Sequence, residues 1–186
     1  MAASEIELKW QGFFSVGDFA EASVRPERQS GIYLMVRWHG EKPSVYVGSA
    51  GNISSRLKSH LGNVLALGYY TREDDDASWF PRNSKDLDFW LRVQNLEAET
   101  ERSKKVVLTT QLAWAVTDPD RANAAERAAY FQLKAAEDAE MIYFDNTTGI
   151  EKRRGQLHDE VLPIHTGSPE VLKLFSPVQQ RPQLNL

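Results

Sequence analysis

Two short runs of bulky apolar residues, separated by a polar loop, stand out first in the pattern along the chain. The runs are GIYLMVRW at residues 31–38 and SVYV at residues 44–47, and both are dense in β-branched and aromatic side chains. Gly40 and Pro43 interrupt the stretch between them. This pattern predicts an antiparallel hairpin over residues 31–48, with a loop of several residues.

A helix is predicted directly after this hairpin. Asn52 follows the turn SAGN, and its side chain can accept a hydrogen bond from a free amide of the first helical turn. Apolar residues then recur at helical spacing, at Ile53, Leu57, Leu61 and Val64. The helix should end near residue 61 or 67, with these four side chains buried. Arg56 and His60, four positions apart, should lie on one shoulder of the buried stripe.

The second half of the chain predicts a strand followed by a long helix. The run VVLTTQLAWAVT favours a strand over about residues 106–116, which the turn DPD ends. Asp120 is the candidate cap of the next helix, whose alanine-rich sequence over residues 122–140 favours helix more strongly than any other stretch. This helix should end near Met141.

Composition narrows the class of protein. The chain has 186 residues, of which 41% are hydrophobic, so it can bury one sizeable core but hardly two. It contains no cysteine, which excludes disulfides, thiolate zinc sites and cysteine nucleophiles. We find no pattern of a secretory signal or a membrane span, so we expect a soluble, cytoplasmic protein with no membrane contact.

The net charge gives no general argument for a polyanionic partner. It is −4, so nucleic-acid binding would need a local basic surface. Basic residues do flank the hairpin and the two helices, at Arg25, Arg28, Lys58, Arg121, Arg127 and residues 152–154. Such residues could contact phosphate and offset the acidic average locally.

The order of these features resembles that of the GIY-YIG nuclease superfamily. GIY at residues 31–33, YVG at residues 46–48, and Arg56 and His60 on the next helix follow the family order. The stretch LAWAVTDPDRANAAER is similar to the later strand, turn and helix, whose glutamate corresponds to Glu126. The resemblance covers about residues 24–62 and 107–134.

The resemblance implies an α/β fold, with a small central sheet that contains an antiparallel hairpin and is flanked by helices. Residues 1–186 would form a single nuclease domain. In this layout the hairpin, both helices and the later strand form the common core. The parts outside it would be an N-terminal extension at 1–23, an insertion at 62–105 and a C-terminal extension at 147–186.

The implied activity is metal-dependent endonucleolytic hydrolysis of DNA. Glu126 would bind Mg²⁺ or Mn²⁺, and Arg56, a permanent cation suited to phosphate oxygens, would stabilise the transition state. His60 would bind phosphate or assist proton transfer, because its ordinary pKa lies near neutrality. Tyr33 and Tyr46 would join the same site, with Tyr33 as the proton acceptor or water-orienting group.

The resemblance also implies residues that touch the substrate. Gly48 would let the backbone pass close to DNA, and Lys58 beside Arg56 could contact phosphate. The family usually has an asparagine after the glutamate helix, and two candidates compete for this position. Asn146 is at the nearer distance, whereas Asn185 in RPQLN has the better local match but requires an insertion.

Other interpretations of the same residues stay open. Tyr33 and Tyr46 could be ordinary strand aromatics, and they share a face only if the hairpin register allows it. Arg56 with His60 could be a solvated helix shoulder, and Glu126 could belong to a surface ion pair. The chain could also be an inactive nucleic-acid-binding or interaction module. A third alternative is a nuclease subunit that needs a partner protein for DNA targeting. The chain could also form a homodimer.

Overall fold

The computed structural model describes residues 4–21, 23–67, 69–70, 82–83, 93–144 and 161–175. Six strands form one mixed sheet: β1 (Ser4–Ser15), β2 (Gly31–His39), β3 (Lys42–Ala50), β6 (Gln111–Val116), β7 (Tyr143–Phe144) and β8 (Val161–Gly167). Two short strands, β4 (Tyr69–Tyr70) and β5 (Arg82–Asn83), pair separately. The order in the large sheet is β7-β3-β2-β6-β1-β8.

Helices cover both faces of this sheet. They are α1 (Val16–Ala20), α2 (Ile53–Leu65), α3 (Leu96–Thr109), α4 (Pro119–Asp138) and α5 (Pro169–Leu172), which leads into a 3₁₀ turn (Lys173–Phe175). One hydrophobic cluster lies between the sheet and α4 with the C-terminal turn, and a second lies between the sheet and α2 with α3. The predicted class, an α/β sheet flanked by helices, is therefore confirmed.

The predicted hairpin is present, but its loop is shorter than expected. β2 and β3 pair antiparallel from Gly31 opposite Ala50 to His39 opposite Lys42, which leaves only Gly40 and Glu41 as the connection. Gly40 has a positive φ of 63°, a conformation that glycine adopts without steric cost and that permits so tight a turn. The prediction of a loop of several residues was wrong because Pro43 continues the strand rather than ending it.

The helix after the hairpin follows its prediction closely. The side chain of Asn52 accepts a hydrogen bond from the backbone amide of Ser55 at 3.0 Å, as expected of an N-cap. The four predicted stripe residues are all buried: Ile53, Leu57, Leu61 and Val64. The helix ends at Leu65, between the two predicted ends.

The predicted strand over residues 106–116 was half wrong. Residues 106–109 form the last turn of α3, and the strand starts only at Gln111. Val106 and Val107 are buried on the α2 side of the core, so packing as a helix overrides the strand preference of this β-branched run. The Thr110 hydroxyl donates to the Val106 carbonyl at 2.7 Å. Thr110 is the single residue between the end of α3 and the start of β6.

The bounds of α4 also differ slightly from expectation. Asp118, without a side-chain capping bond, is the N-cap residue, and Asp120 lies inside the first turn, so the prediction that Asp120 caps the helix was wrong. Pro119 explains the shift, because proline suits the first position of a helix, where its missing amide would be unpaired anyway. The helix ends at Asp138 rather than near Met141.

Both ends of the described chain contribute to the large sheet. β1 pairs antiparallel with β6 and parallel with β8, and its inward residues Ile6, Leu8 and Trp10 are buried. The predicted division assigns β1 to the N-terminal extension and β8 to the C-terminal extension, and this division stays a prediction. The two strands lie side by side in the sheet. In the ranges described above, no helix combines the length and apolarity needed to cross a membrane.

Candidate active site at the end of the hairpin

The hairpin register settles whether the two tyrosines share a face. Tyr33 lies opposite Gly48, and Tyr46 lies opposite Met35, two positions along β2 from Tyr33. Residues opposite each other or two apart on a strand point to the same side of a sheet. Tyr33 and Tyr46 therefore both face α2, with their ring centres 6.2 Å apart.

Gly48 makes room for Tyr33. A Cβ atom at position 48 would lie 2.4 Å from the Tyr33 hydroxyl oxygen and 2.5 Å from the ring carbon that carries it. Both atoms are part of a buried ring that cannot swing aside, since Tyr33 is only 1% exposed. Glycine is therefore needed at position 48 to make room for Tyr33, a reason that the sequence analysis did not give. The closeness of Gly48 to DNA stays a prediction.

His60 joins the two tyrosines from α2. Its Nε2 atom lies 2.9 Å from the Tyr33 hydroxyl, and its ring centre lies 5.9 Å from that of Tyr33 and 5.7 Å from that of Tyr46. The side chain is buried, although the sequence placed it on a shoulder of the helix. The difference arises because the tyrosines, beside the aliphatic stripe, extend the apolar surface that α2 covers.

Burial keeps both Tyr33 and His60 uncharged. It raises the pKa of the Tyr33 phenol, with a further rise from Tyr46, while hydrogen bonding and charge of Arg56 act in the opposite direction. Burial also lowers the pKa of His60 to about 4, and the Arg56 cation adds to that decrease. At neutral pH the cluster therefore holds a neutral phenol beside a neutral imidazole.

Arg56 brings positive charge to this cluster from the solvent side. It lies in the first turn of α2, its side chain is exposed, and it interacts with Tyr33 as described above. Lys58 is exposed too, but two residues further along a helix it projects about 200° around the axis from Arg56. The structure thus brings Arg56 to the cluster and points Lys58 elsewhere.

Glu126 approaches the same end of the hairpin from the other face of the sheet. The Ser49 hydroxyl donates to its Oε2 atom at 2.7 Å, and Ser49 is the residue directly after Gly48. Successive residues of a strand point to opposite faces, so Ser49 faces α4 while Gly48 faces Tyr33. The carboxylate is half-buried on α4, one and two turns before the buried residues Tyr130 and Leu133.

Two residues beside Glu126 were missed by the sequence analysis. The Ser49 oxygen also lies 3.1 Å from Oδ1 of Asn123, which precedes Glu126 by three positions on α4. Residues three positions apart on a helix are neighbours on its surface, so the spacing from Glu126 could have identified Asn123. Ser49 could not be found this way, because its contact depends on how β3 packs against α4.

Two asparagines and a metal ion complete the predicted site. Asn146 and Asn185 both lie outside the described residues, so the choice between them stays open. The part of the chain that the structure describes holds no group of three or more histidine, cysteine, aspartate or glutamate side chains arranged for a metal. A site for Mg²⁺ needs only one or two protein carboxylates, so Glu126 stays the candidate.

Comparison with known proteins adds no relative. No protein-family model matches the chain, and neither does any curated protein or solved structure. The GIY-YIG resemblance therefore depends on the residues themselves and stays a prediction.

Proposed function

We propose that this chain is a metal-dependent endonuclease of the GIY-YIG type, which hydrolyses phosphodiester bonds in DNA. The observation that carries this proposal is the Tyr33–His60 contact of 2.9 Å beside Tyr46, at the end of the hairpin that Arg56 also reaches. These side chains come from three elements, β2, β3 and α2. An ordinary core gains little from such a set of polar groups, because buried polar atoms cost free energy unless paired.

Glu126 fits a hard divalent cation. Its half-buried carboxylate accepts a hydrogen bond from Ser49, which fixes the orientation of the group, as hydrogen-bonded partners of metal ligands commonly do. Mg²⁺ or Mn²⁺ prefers such oxygen ligands and completes its shell with water and substrate phosphate. When bound, the ion would supply positive charge that stabilises the negative charge developing on the phosphate.

Arg56 would bind the phosphate from the other side of the hairpin end. Its guanidinium stays charged at any working pH and offers planar donors that match phosphate oxygens. The side chain is exposed, so it can reach a bound strand without unfolding α2. We assign to Arg56 the stabilisation of charge on the phosphate in the transition state.

Tyr33 and His60 would move the proton of the attacking water. The raised pKa of Tyr33 disfavours a free phenolate at neutral pH, so the phenol would need to lose its own proton as it gains one. The neutral imidazole of His60 is placed to receive that proton at Nε2. Tyr33 thus accepts a proton from water while it gives its own proton to His60, so the phenol stays neutral and the positive charge forms on the His60 imidazole.

A binding module without turnover is the second candidate function. It is favoured by the burial of the cluster, since Tyr33 is 1% exposed and His60 4% exposed. Water can reach the phenol only if Arg56 or a neighbouring side chain moves when DNA binds. A protein that kept these residues for stability alone would keep them closed in this way.

Cleavage of supercoiled plasmid and of branched DNA, with Mg²⁺ or Mn²⁺, tests the proposal. Glu126→Gln and Arg56→Lys are compared with the wild type at equal folding quality, judged by circular dichroism and thermal unfolding. Glu97→Gln and Lys105→Ala serve as matched controls, because both residues are exposed on α3. We expect metal-dependent nicking by the wild type and both controls, with a loss of about 10²-fold or more in the two site variants.

The result can also refute the proposal. Cleavage that persists in Glu126→Gln would show that the activity does not use this carboxylate. Binding of DNA by a wild type that cleaves nothing would favour the binding module instead.

A further inference from the structure

We infer that Asn123 provides a second oxygen ligand for the divalent metal ion beside Glu126, and that Ser49 positions both side chains. This inference depends on the metal site proposed above and assigns it a further ligand. The relevant geometry is the triangle of Ser49, Asn123 and Glu126 between β3 and α4.

The Ser49 hydroxyl has two acceptors and one proton. Its Oγ atom lies 2.7 Å from Glu126 Oε2 and 3.1 Å from Asn123 Oδ1. A hydroxyl can donate to only one acceptor at a time, and the charged, closer carboxylate forms the stronger bond. The proton therefore goes to Glu126.

This assignment fixes the orientation of the Asn123 amide. An oxygen of Asn123 facing a Ser49 oxygen without a proton between them would be repulsive. The nitrogen and oxygen of an amide are assigned from the hydrogen-bond network, and here the network favours the NH₂ group facing Ser49. Asn123 then donates to Ser49 Oγ, and its carbonyl oxygen points away from the serine.

The carbonyl oxygen of Asn123, which points away from Ser49, would bind the same metal ion as Glu126. Asn123 is exposed and Glu126 is half-buried, three positions apart on one face of α4. Both side chains contact the same serine oxygen, so the two groups lie side by side. Amide and carboxylate oxygens are ligands that Mg²⁺ and Mn²⁺ prefer.

Ser49 acts on the ion only through the two ligands. Its hydroxyl restrains the carboxylate, and its lone pair restrains the amide, as hydrogen-bonded partners of metal ligands commonly do. Ser49 is therefore a positioning residue. Its conservative replacement by threonine keeps the hydroxyl and suits a strand.

Mn²⁺ binding to the full chain without DNA, measured by electron paramagnetic resonance of the free ion, tests this inference. Asn123→Ala should weaken binding by about tenfold, and Asn123→Asp should tighten it because a carboxylate replaces the amide oxygen. Ser49→Ala should weaken binding by about 10- to 100-fold, while Ser49→Thr should restore it. Asp120→Asn, exposed in the first turn of α4, controls for the loss of a nearby acid and should bind as the wild type does.

Three outcomes overturn the inference. They are wild-type affinity in Asn123→Ala, no tightening in Asn123→Asp, and no Mn²⁺ binding by the wild type in the millimolar range. Weaker DNA binding by Asn123→Asp at unchanged Mn²⁺ affinity would mean that Asn123 donates to phosphate instead.

Plasmid cleavage separates this inference from the proposed function. A wild type that cleaves DNA while Asn123→Ala binds Mn²⁺ normally would refute the second ligand and leave the nuclease intact. Mn²⁺ binding that depends on Asn123 in a protein that cleaves nothing would refute the nuclease and leave the ligand pair intact.

Discussion

Two buried histidines, one on each face of the sheet, differ in what surrounds them. His60 is 4% exposed, His165 is 6% exposed, and burial lowers the pKa of each to about 4. The His165 ring stacks on Phe175 with ring centres 4.0 Å apart, and its Nδ1 accepts from the Trp10 indole at 2.8 Å. Its Nε2 is paired with Gln132, so uncharged groups hold both nitrogens.

His60 has a different kind of partner. Its Nε2 meets the Tyr33 hydroxyl, which can give or take a proton, and the Arg56 cation acts on the ring from an exposed position. A lowered pKa is therefore not by itself a sign of a functional histidine. The exchangeable and charged partners distinguish the proposed catalytic residue from the structural one.

The largest expected effect comes from replacing His60. We expect His60→Gln to lower cleavage at neutral pH by about 10²- to 10⁴-fold, because the proton from Tyr33 would lose its acceptor. His165→Gln is the matched control, and its cleavage per folded molecule should equal that of the wild type. Plasmid nicking rates, corrected for the folded fraction, check this difference. Equal losses in both variants would remove the functional distinction between the two histidines.

Replacement of His165 should affect stability instead. We expect His165→Leu to lower the free energy of unfolding by about 2–4 kcal/mol, because the buried Trp10 indole would lose its acceptor and the half-buried Gln132 would lose its partner. Urea denaturation, read from circular dichroism, gives this value. A change below about 1 kcal/mol would contradict this account, because it would show that neither the hydrogen bonds nor the stacked ring of His165 stabilises the fold.

Acid should destabilise the protein through both histidines. Their pKa values fall from 6.5 in the unfolded chain to about 4 in the fold, so between these values the unfolded chain binds protons that the folded chain does not. This contribution to the free energy of unfolding is fully present above pH 6.5. For each histidine it falls by up to about 3 kcal/mol as the pH falls toward 4. Urea midpoints from pH 7 to 4.5 should therefore fall, and His165→Leu should fall less steeply. Parallel curves for the two proteins would contradict this account.

A smaller effect is expected from crowding the Tyr33–His60 contact. Gly48→Ala places a methyl group against the Tyr33 hydroxyl, so we expect a loss of about 1–3 kcal/mol of stability and slower cleavage. Gly62→Ala is the control, since its added Cβ would meet nothing within 4 Å, and a helical alanine should stabilise by about 0.5–1 kcal/mol. Thermal unfolding of both variants measures the difference. Two stabilised proteins would mean that Tyr33 moves aside without cost.

Local sequence signals predicted the parts of the fold that local forces decide. The hairpin, the Asn52 cap and the stripe of α2 depend on neighbours a few positions away, and the sequence contains their periods directly. Residues 106–109 show the limit, because their β-branched side chains favour a strand until burial against α2 favours a helix. Such packing cannot be derived from a single segment.

The candidate site divides in the same way. Arg56, His60 and Glu126 were found by their order along the chain, and Asn123 could have been found by its helical spacing from Glu126. The contact between Ser49 and Glu126 joins residues 77 positions apart, and the burial of His60 depends on the hairpin register. Both require the tertiary arrangement, which no local pattern contains.

The pairing of β1 with β8 has a consequence for synthesis of the chain on the ribosome. The Trp10 indole meets a histidine 155 positions later, and the two strands pair along seven residues. After β1 has emerged, the residues up to β8 must therefore be made before its final neighbour is available. Contacts so distant in sequence slow folding, and during this delay the unpaired edge of β1 is exposed to other chains. A chaperone that covers this edge until β8 has been made should therefore raise the yield of folded protein.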